Sequence, residues 1–148
     1  MKGLLCDFEG IDYLHTEPTL PVMSKQMLSV LRSVKDFPHQ TVSVVIDDIE
    51  AAKGNWFERS GKVNTNYVAL QLLEQLDILD REKSDYDTED DDPDEIEYIN
   101  KLVLDVPEEG LPPIFRITEN SIYLYVSPEA KTALEEAGIT GIRFVPIN

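Results

Sequence analysis

The chain has 148 residues, enough for one domain with an ordinary core, and its 42% hydrophobic and 28% charged content is that of a globular protein. Acidic residues outnumber basic ones 29 to 13, a formal net charge of -16 that disfavours unaided binding to nucleic acid or an anionic membrane and favours a basic partner. The single Cys6 excludes an intramolecular disulfide framework and the apolar runs are too short to span a bilayer, so a soluble cytoplasmic protein is expected.

Leu4-Leu5-Cys6 resembles a lipoprotein cleavage site, but no long apolar segment precedes it and Leu5 is too large for its place. Lys2–Phe8 can pair as a short strand, with Asp7, Glu9 and Gly10 opening a turn. Residues 10–22 read as an irregular connection. Ser24 caps a helix in which Met27, Leu28, Leu31 and Val34 recur at the spacing of one buried face, and Pro38 lies beyond its end. Thr41–Ile46 is a β run with Val42, Val44 and Ile46 alternating, ended by Asp47 and Asp48.

Ala51 to Asn66 reads equally as a long loop or a hairpin. Tyr67–Asp80 fits both periods; propensity favours helix, whereas the family likeness given below favours strand. Asp85–Glu97 holds nine acids and no base, and is expected to be a solvated, flexible loop. Tyr98–Val106 resumes as a strand, and Pro107, Gly110, Pro112 and Pro113 form a turn-rich link.

The last third is the most readable. Ile114, Phe115, Ile117, Ile122, Leu124 and Val126 flank a polar Thr118–Ser121 turn and suit a pleated, half-buried surface. Ser127 and Pro128 stand at the N-cap and first position of a helix with Ala130, Ala133, Leu134 and Ala137 on one face, stopped by Gly138. Ile142, Phe144, Val145 and Ile147 read as a final strand. The expected fold is a single α+β domain over residues 1–148, with a mixed or antiparallel sheet, a few helices and a C-terminal strand–helix–strand unit.

No catalytic constellation emerges. Counted from Asp85 or from Asp87, the acidic stretch lacks the sixth-position glycine and twelfth-position glutamate of a calcium loop. His15 and His39 lie in separate loops without zinc-ligand spacing, and no motif sets a base beside a nucleophile. No catalytic, metal or cofactor-binding residue is therefore assigned, and no enzyme is expected. Two stretches qualify as partner-binding, each with a plainer alternative. Trp56 and Phe57, an aromatic pair in a polar context, either seal one end of the core or anchor a partner, and Asp90, Asp91, Asp92, Asp94 and Glu95 form either a merely solvated loop or a docking site for a basic partner. Arg116 and Arg143, in expected strands, read as ion-pair partners for the acidic surface.

Phe115-Arg116, Val126-Ser127 before a helix, and Ala137-Gly138-Ile139-Thr140-Gly141-Ile142-Arg143-Phe144-Val145-Pro146 are similar to the ending of bacterial immunity proteins of families eleven and forty-three, formerly domains of unknown function. Pro21-Val22-Met23-Ser24 resembles that family's early motif. Asn66-Tyr67, with Asp77-Ile78-Leu79-Asp80 and Ser84, resembles its middle segment. The resemblance implies a non-catalytic α+β protein that protects its producer by binding a cognate toxin. A basic, nuclease-like toxin would match the charge. A second class fits the same charge: an acidic decoy that mimics phosphates and occupies a nucleic-acid-binding protein.

Overall fold

The computed structural model describes residues 2–3, 7–14, 20–51, 57–89, 92 and 95–147. His15, Trp56, Asp90, Asp91 and Asp94 lie outside these residues, as does Cys6. The first helix, α1 (Lys25–Val34), starts where its cap dictates: Ser24 Oγ accepts the Met27 amide at 3.0 Å. Met27, Leu28 and Leu31 are buried along one face, as their spacing predicts.

That face lies on a five-stranded sheet of β1 (Lys2–Gly3), β2 (Tyr13–Leu14), β3 (Val22–Ser24), β4 (His39–Ala51) and β5 (Phe57–Leu72), in the order β1-β4-β5-β3-β2. β1 runs parallel to β4 and the remaining pairs are antiparallel. Of Ala51–Asn66, the described residues, Ala51 and Phe57–Asn66, thus belong to paired strands, as in the hairpin alternative. Asp47 and Asp48 do not end β4 as expected. Lys2 and Gly3 pair with them on one side, and on the other Asp47 faces Val63, so backbone pairing overrides the poor β propensity of aspartate. Two register irregularities, after Val44 and after Asp47, let the long strands continue.

Each face of the sheet has its own cluster. Met23, Val68 and Leu70 pack with Met27, Leu28 and Leu31 and with Ala130 and Leu134 of the second helix, α2 (Pro128–Glu136). Leu14, Val22, Ile46, Tyr67 and Ala69 pack on the opposite face with Phe8 and Ile11. Tyr67–Leu72 belongs to β5, which excludes a helix there. The following residues leave the sheet and make isolated bridges, Leu76 with Ile117 and Leu79 with Leu104.

A third cluster joins the two smaller sheets. β8 (Ile114–Ile117) and β9 (Asn120–Val126) form one hairpin; β6 (Asp85–Thr88) and β7 (Ile96–Lys101) form another. Ile78, Phe115 and Ile117 gather Ile99, Leu102, Leu104, Leu111 and Tyr125 around them, whereas Ile114 faces the first cluster. Period-two alternation thus lets β8 serve two cores. Asp85–Glu97 is consequently not one flexible loop. Its two arms, Asp85–Thr88 and Ile96–Lys101, are paired strands with two register irregularities.

The C-terminal region is strand–strand–helix, not strand–helix–strand. Ser127 Oγ accepts the Ala130 amide at 3.2 Å and Gly138 takes φ 68, as the cap residues predict. The tail then makes no strand. Ile142 and Phe144 rest on the first cluster, while Val145 is 75% exposed. The cause lies at Thr140 and Gly141, which dock on residues 10–13 and turn the tail away from strand pairing. Tyr13 and Asp12 donate their amides to Thr140 O at 3.2 and 3.3 Å. Arg143 lies in this tail and not in a strand.

Candidate partner-binding surface

The acidic hairpin starts from a stapled base. Asp80 Oδ1 accepts the amides of Glu82 and Lys83 at 3.2 and 3.1 Å, and Oδ2 accepts Lys83 Nζ at 2.6 Å. The hydrogen bond from the Lys83 side chain holds the Asp80 carboxyl below its usual range, and Asp80 in turn raises Lys83. Ser84 Oγ donates to Val103 O at 3.1 Å and accepts the Val103 amide at 3.0 Å, tying the start of β6 to the end of β7. Asp80 and Ser84, singled out in the sequence by family likeness, are therefore turn and staple residues.

From this base the strand pairing sorts the side chains. Tyr86 faces Ile99 and Thr88 faces Ile96, all half-buried; Asp85 faces Lys101 and Asp87 faces Tyr98, all exposed. Asn100 Nδ2 donates to Asp87 Oδ2 at 3.1 Å, fixing that carboxylate beside the Tyr98 position. Tyr98 itself is 65% exposed. Around it, Asp85, Asp87, Glu89, Asp92, Glu95 and Glu97 are exposed, with Lys101 the one base in the hairpin among the described residues. An exposed tyrosine within a carboxylate field has the form of an interface anchor with a charged rim.

Of the residues expected to bind a partner, Asp92 and Glu95 lie in this hairpin's turn, where Glu89 donates its amide to Glu95 O at 3.0 Å and Glu95 donates to Asp92 O at 3.1 Å. Phe57 opens β5 opposite Ala51, in a different sheet, so the structure does not join it to the acidic residues. Tyr98 was missed by sequence reasoning. Simple alternation gives no signal for it: Ile96 and Ile99 are both half-buried, and the register irregularity between Asp87 and Thr88 separates Tyr98 from the side of Ile96.

In comparison with known proteins, no family model matches the chain and no curated protein matches it. The remaining candidates resolve into structural roles. His39 stacks on Phe37 with ring centroids 4.3 Å apart; its Nδ1 donates to Phe37 O at 2.7 Å, which leaves Nε2 to accept Arg32 Nη2 at 2.9 Å. Arg116 is a buried residue that donates to backbone carbonyls of β9.

A cleft of about 450 Å³ lies between residues 8–12, the start of α1 and β5. Three of its polar groups are engaged with the surrounding fold. Ser24 Oγ donates to Asp12 Oδ1 at 2.6 Å, Asp12 Oδ2 accepts the Thr140 amide at 3.0 Å, and Tyr67 Oη lies 2.5 Å from Ile11 O. Burial, reinforced by the Asp12 charge, raises the Tyr67 phenol above its usual pKa. Among the described residues no group of three or more His, Cys, Asp or Glu side chains is placed to hold a metal, and no helix is long and apolar enough to cross a membrane.

Proposed function

We propose that this chain is a bacterial immunity protein that neutralises a cognate toxin by direct, non-catalytic binding in the cytoplasm, with the acidic β6–β7 face as its contact surface. The observation that carries the binding surface is exposed Tyr98 opposite Asp87, within the carboxylates of a stapled hairpin. The chain's formal charge of -16 steers it toward a basic partner and away from nucleic acid and anionic membranes. The immunity assignment is supported by the family likeness of Phe115-Arg116 and of the Ala137–Pro146 stretch. In the fold these residues serve as core, as an arginine brace on β9 carbonyls, as helix stop and as tail clasp, roles that suit a scaffold common to a family.

Coexpression with the product of the adjacent upstream gene tests this reading. Growth is expected where that product alone arrests it; arrest despite good expression of both proteins overturns the reading. A second reading, the phosphate-mimicking decoy, is favoured by the row of exposed carboxylates along one hairpin. It predicts a complex that dissociates steeply with moderate salt, whereas a toxin complex anchored by Tyr98 persists.

A further inference from the structure

β8 and β9 do not pair residue for residue. Ile114 faces Val126 and Phe115 faces Tyr125, but the next pair is Ile117 with Asn120. Arg116 therefore stands alone opposite Ser121, Ile122, Tyr123 and Leu124. Its side chain fills the gap: Arg116 is 7% exposed, and Nη1 donates to Ser121 O and, at 2.9 Å, to Ile122 O. A bulge forgoes ladder hydrogen bonds, and burying a guanidinium costs solvation. The outcome of both costs is that Ile122 and Tyr123, two large side chains, stand 66% and 64% exposed.

The turn that precedes this bulge holds a second irregularity. The Glu119 side chain is 6% exposed; Oε1 lies 3.6 Å from Arg81 Nη2, and Oε2 is buried with no hydrogen-bond partner among the described residues. A buried carboxylate oxygen without a donor calls for one. Arg81 is half-exposed and its guanidinium carbon also lies 6.0 Å from the ring centroid of Tyr86 on β6. It thereby sets the β8–β9 turn beside the acidic hairpin.

We infer that Ile122 and Tyr123 add a second apolar contact, beyond Tyr98, to the surface whose charge the acidic hairpin supplies. The occupant is a basic protein with apolar side chains to cover Ile122 and Tyr123 and a lysine or arginine that reaches Glu119. A second copy of this chain is a poor occupant, because two chains of formal charge -16 repel. The inference rests on the proposed binding function and deepens it.

The probe is the protein encoded by the adjacent upstream gene, made with its activity inactivated. Its binding is measured to the parent chain, to Ile122→Ser/Tyr123→Ser, to Asp87→Asn/Glu97→Gln and to Glu119→Gln, each checked for fold by circular dichroism. The bulge variant is expected to bind about 100-fold more weakly through faster dissociation, with its salt dependence unchanged. The hairpin variant is expected to associate more slowly and to lose salt dependence, and Glu119→Gln to bind about tenfold more weakly. Binding of the bulge variant within twofold of the parent overturns the second contact and leaves the immunity reading standing. Parent-like binding by Glu119→Gln removes the basic group from the occupant. No binding by the parent chain overturns the reading and the second contact together.

Discussion

Asp12 and Thr140, 128 residues apart, clasp each other through backbone and side chain: the Asp12 amide reaches Thr140 Oγ1 at 3.2 Å, and the Thr140 amide reaches Asp12 Oδ2 at 3.0 Å. The Thr140 hydroxyl also donates to Gly10 O. With Ser24 on its other oxygen, one carboxylate joins the turn before β2, the cap of α1 and the C-terminal tail. Asp12→Ala is expected to lower the unfolding free energy by about 2–3 kcal/mol, since hydrogen bonds to a charged group are the stronger kind. Urea titration measures it; a midpoint equal to the parent's would refute the clasp.

Gly141 and Gly110 make a controlled pair. Both have left-handed backbones, at φ 81 and φ 79, but a Cβ on Gly141 would lie 2.6 Å from Tyr13 O, while nothing lies within 4 Å of one on Gly110. Gly110→Ala is expected to cost about 1 kcal/mol for the backbone conformation alone. Gly141→Ala adds a clash with fixed backbone and is expected to cost at least about 2 kcal/mol more, or to undock the tail. Equal losses in thermal unfolding would show that Thr140–Gly141 does not press on residues 11–13.

Three tyrosines set an alkaline limit. Burial raises the phenols of Tyr13, Tyr67 and Tyr125 above the ordinary 10.0; the Arg116 charge opposes this at Tyr13, while Asp12 adds to it at Tyr67 and Tyr123 at Tyr125. A folded-state pKa above the unfolded value means that the folded chain holds its proton longer. That stability is complete below the unfolded pKa and is lost as pH rises through the folded values. Denaturant midpoints should hold up to about pH 10 and fall above it. Tyr67→Phe should flatten the fall; an unchanged alkaline limb would exclude Tyr67 from it.

Tyr98→Ala separates binding from folding. At 65% exposure the ring adds little to the core, so stability should change by no more than about 0.5 kcal/mol. Under the proposed immunity function, neutralisation of a cognate toxin should weaken about tenfold or more. Full neutralisation by the variant would move the contact surface off this face of the hairpin.

Elements with local signals were legible in the sequence. Ser24 and Ser127 announce their helices through side-chain caps, and the three-and-four spacing of Met27, Leu28 and Leu31 announces a buried face. Pairing partners were not legible, because they are decided elsewhere in the chain. Ile142–Ile147 has strand composition, yet Thr140 and Gly141 commit the tail to residues 10–13. The aspartates of β6 look unfit for a strand, but Ile99 buries in the third cluster and carries the hairpin with it. Val42 alternates correctly with Ile46 and is nonetheless 63% exposed. For the surface, composition pointed to the acidic segment, but the exposure of Tyr98 follows from which residue opposes Asp87, and that is a matter of register.

The gap opposite Arg116 bears on how the chain avoids itself. Asn120–Val126 carries no charge and no proline and is rich in isoleucine, tyrosine, leucine and valine, the composition of a strand that templates another chain. A flat β9 would offer an unbroken row of amides and carbonyls to any neighbour. The bulge breaks that row in its middle and turns two of its carbonyls inward to an arginine, so the strand is a poor seed for aggregation.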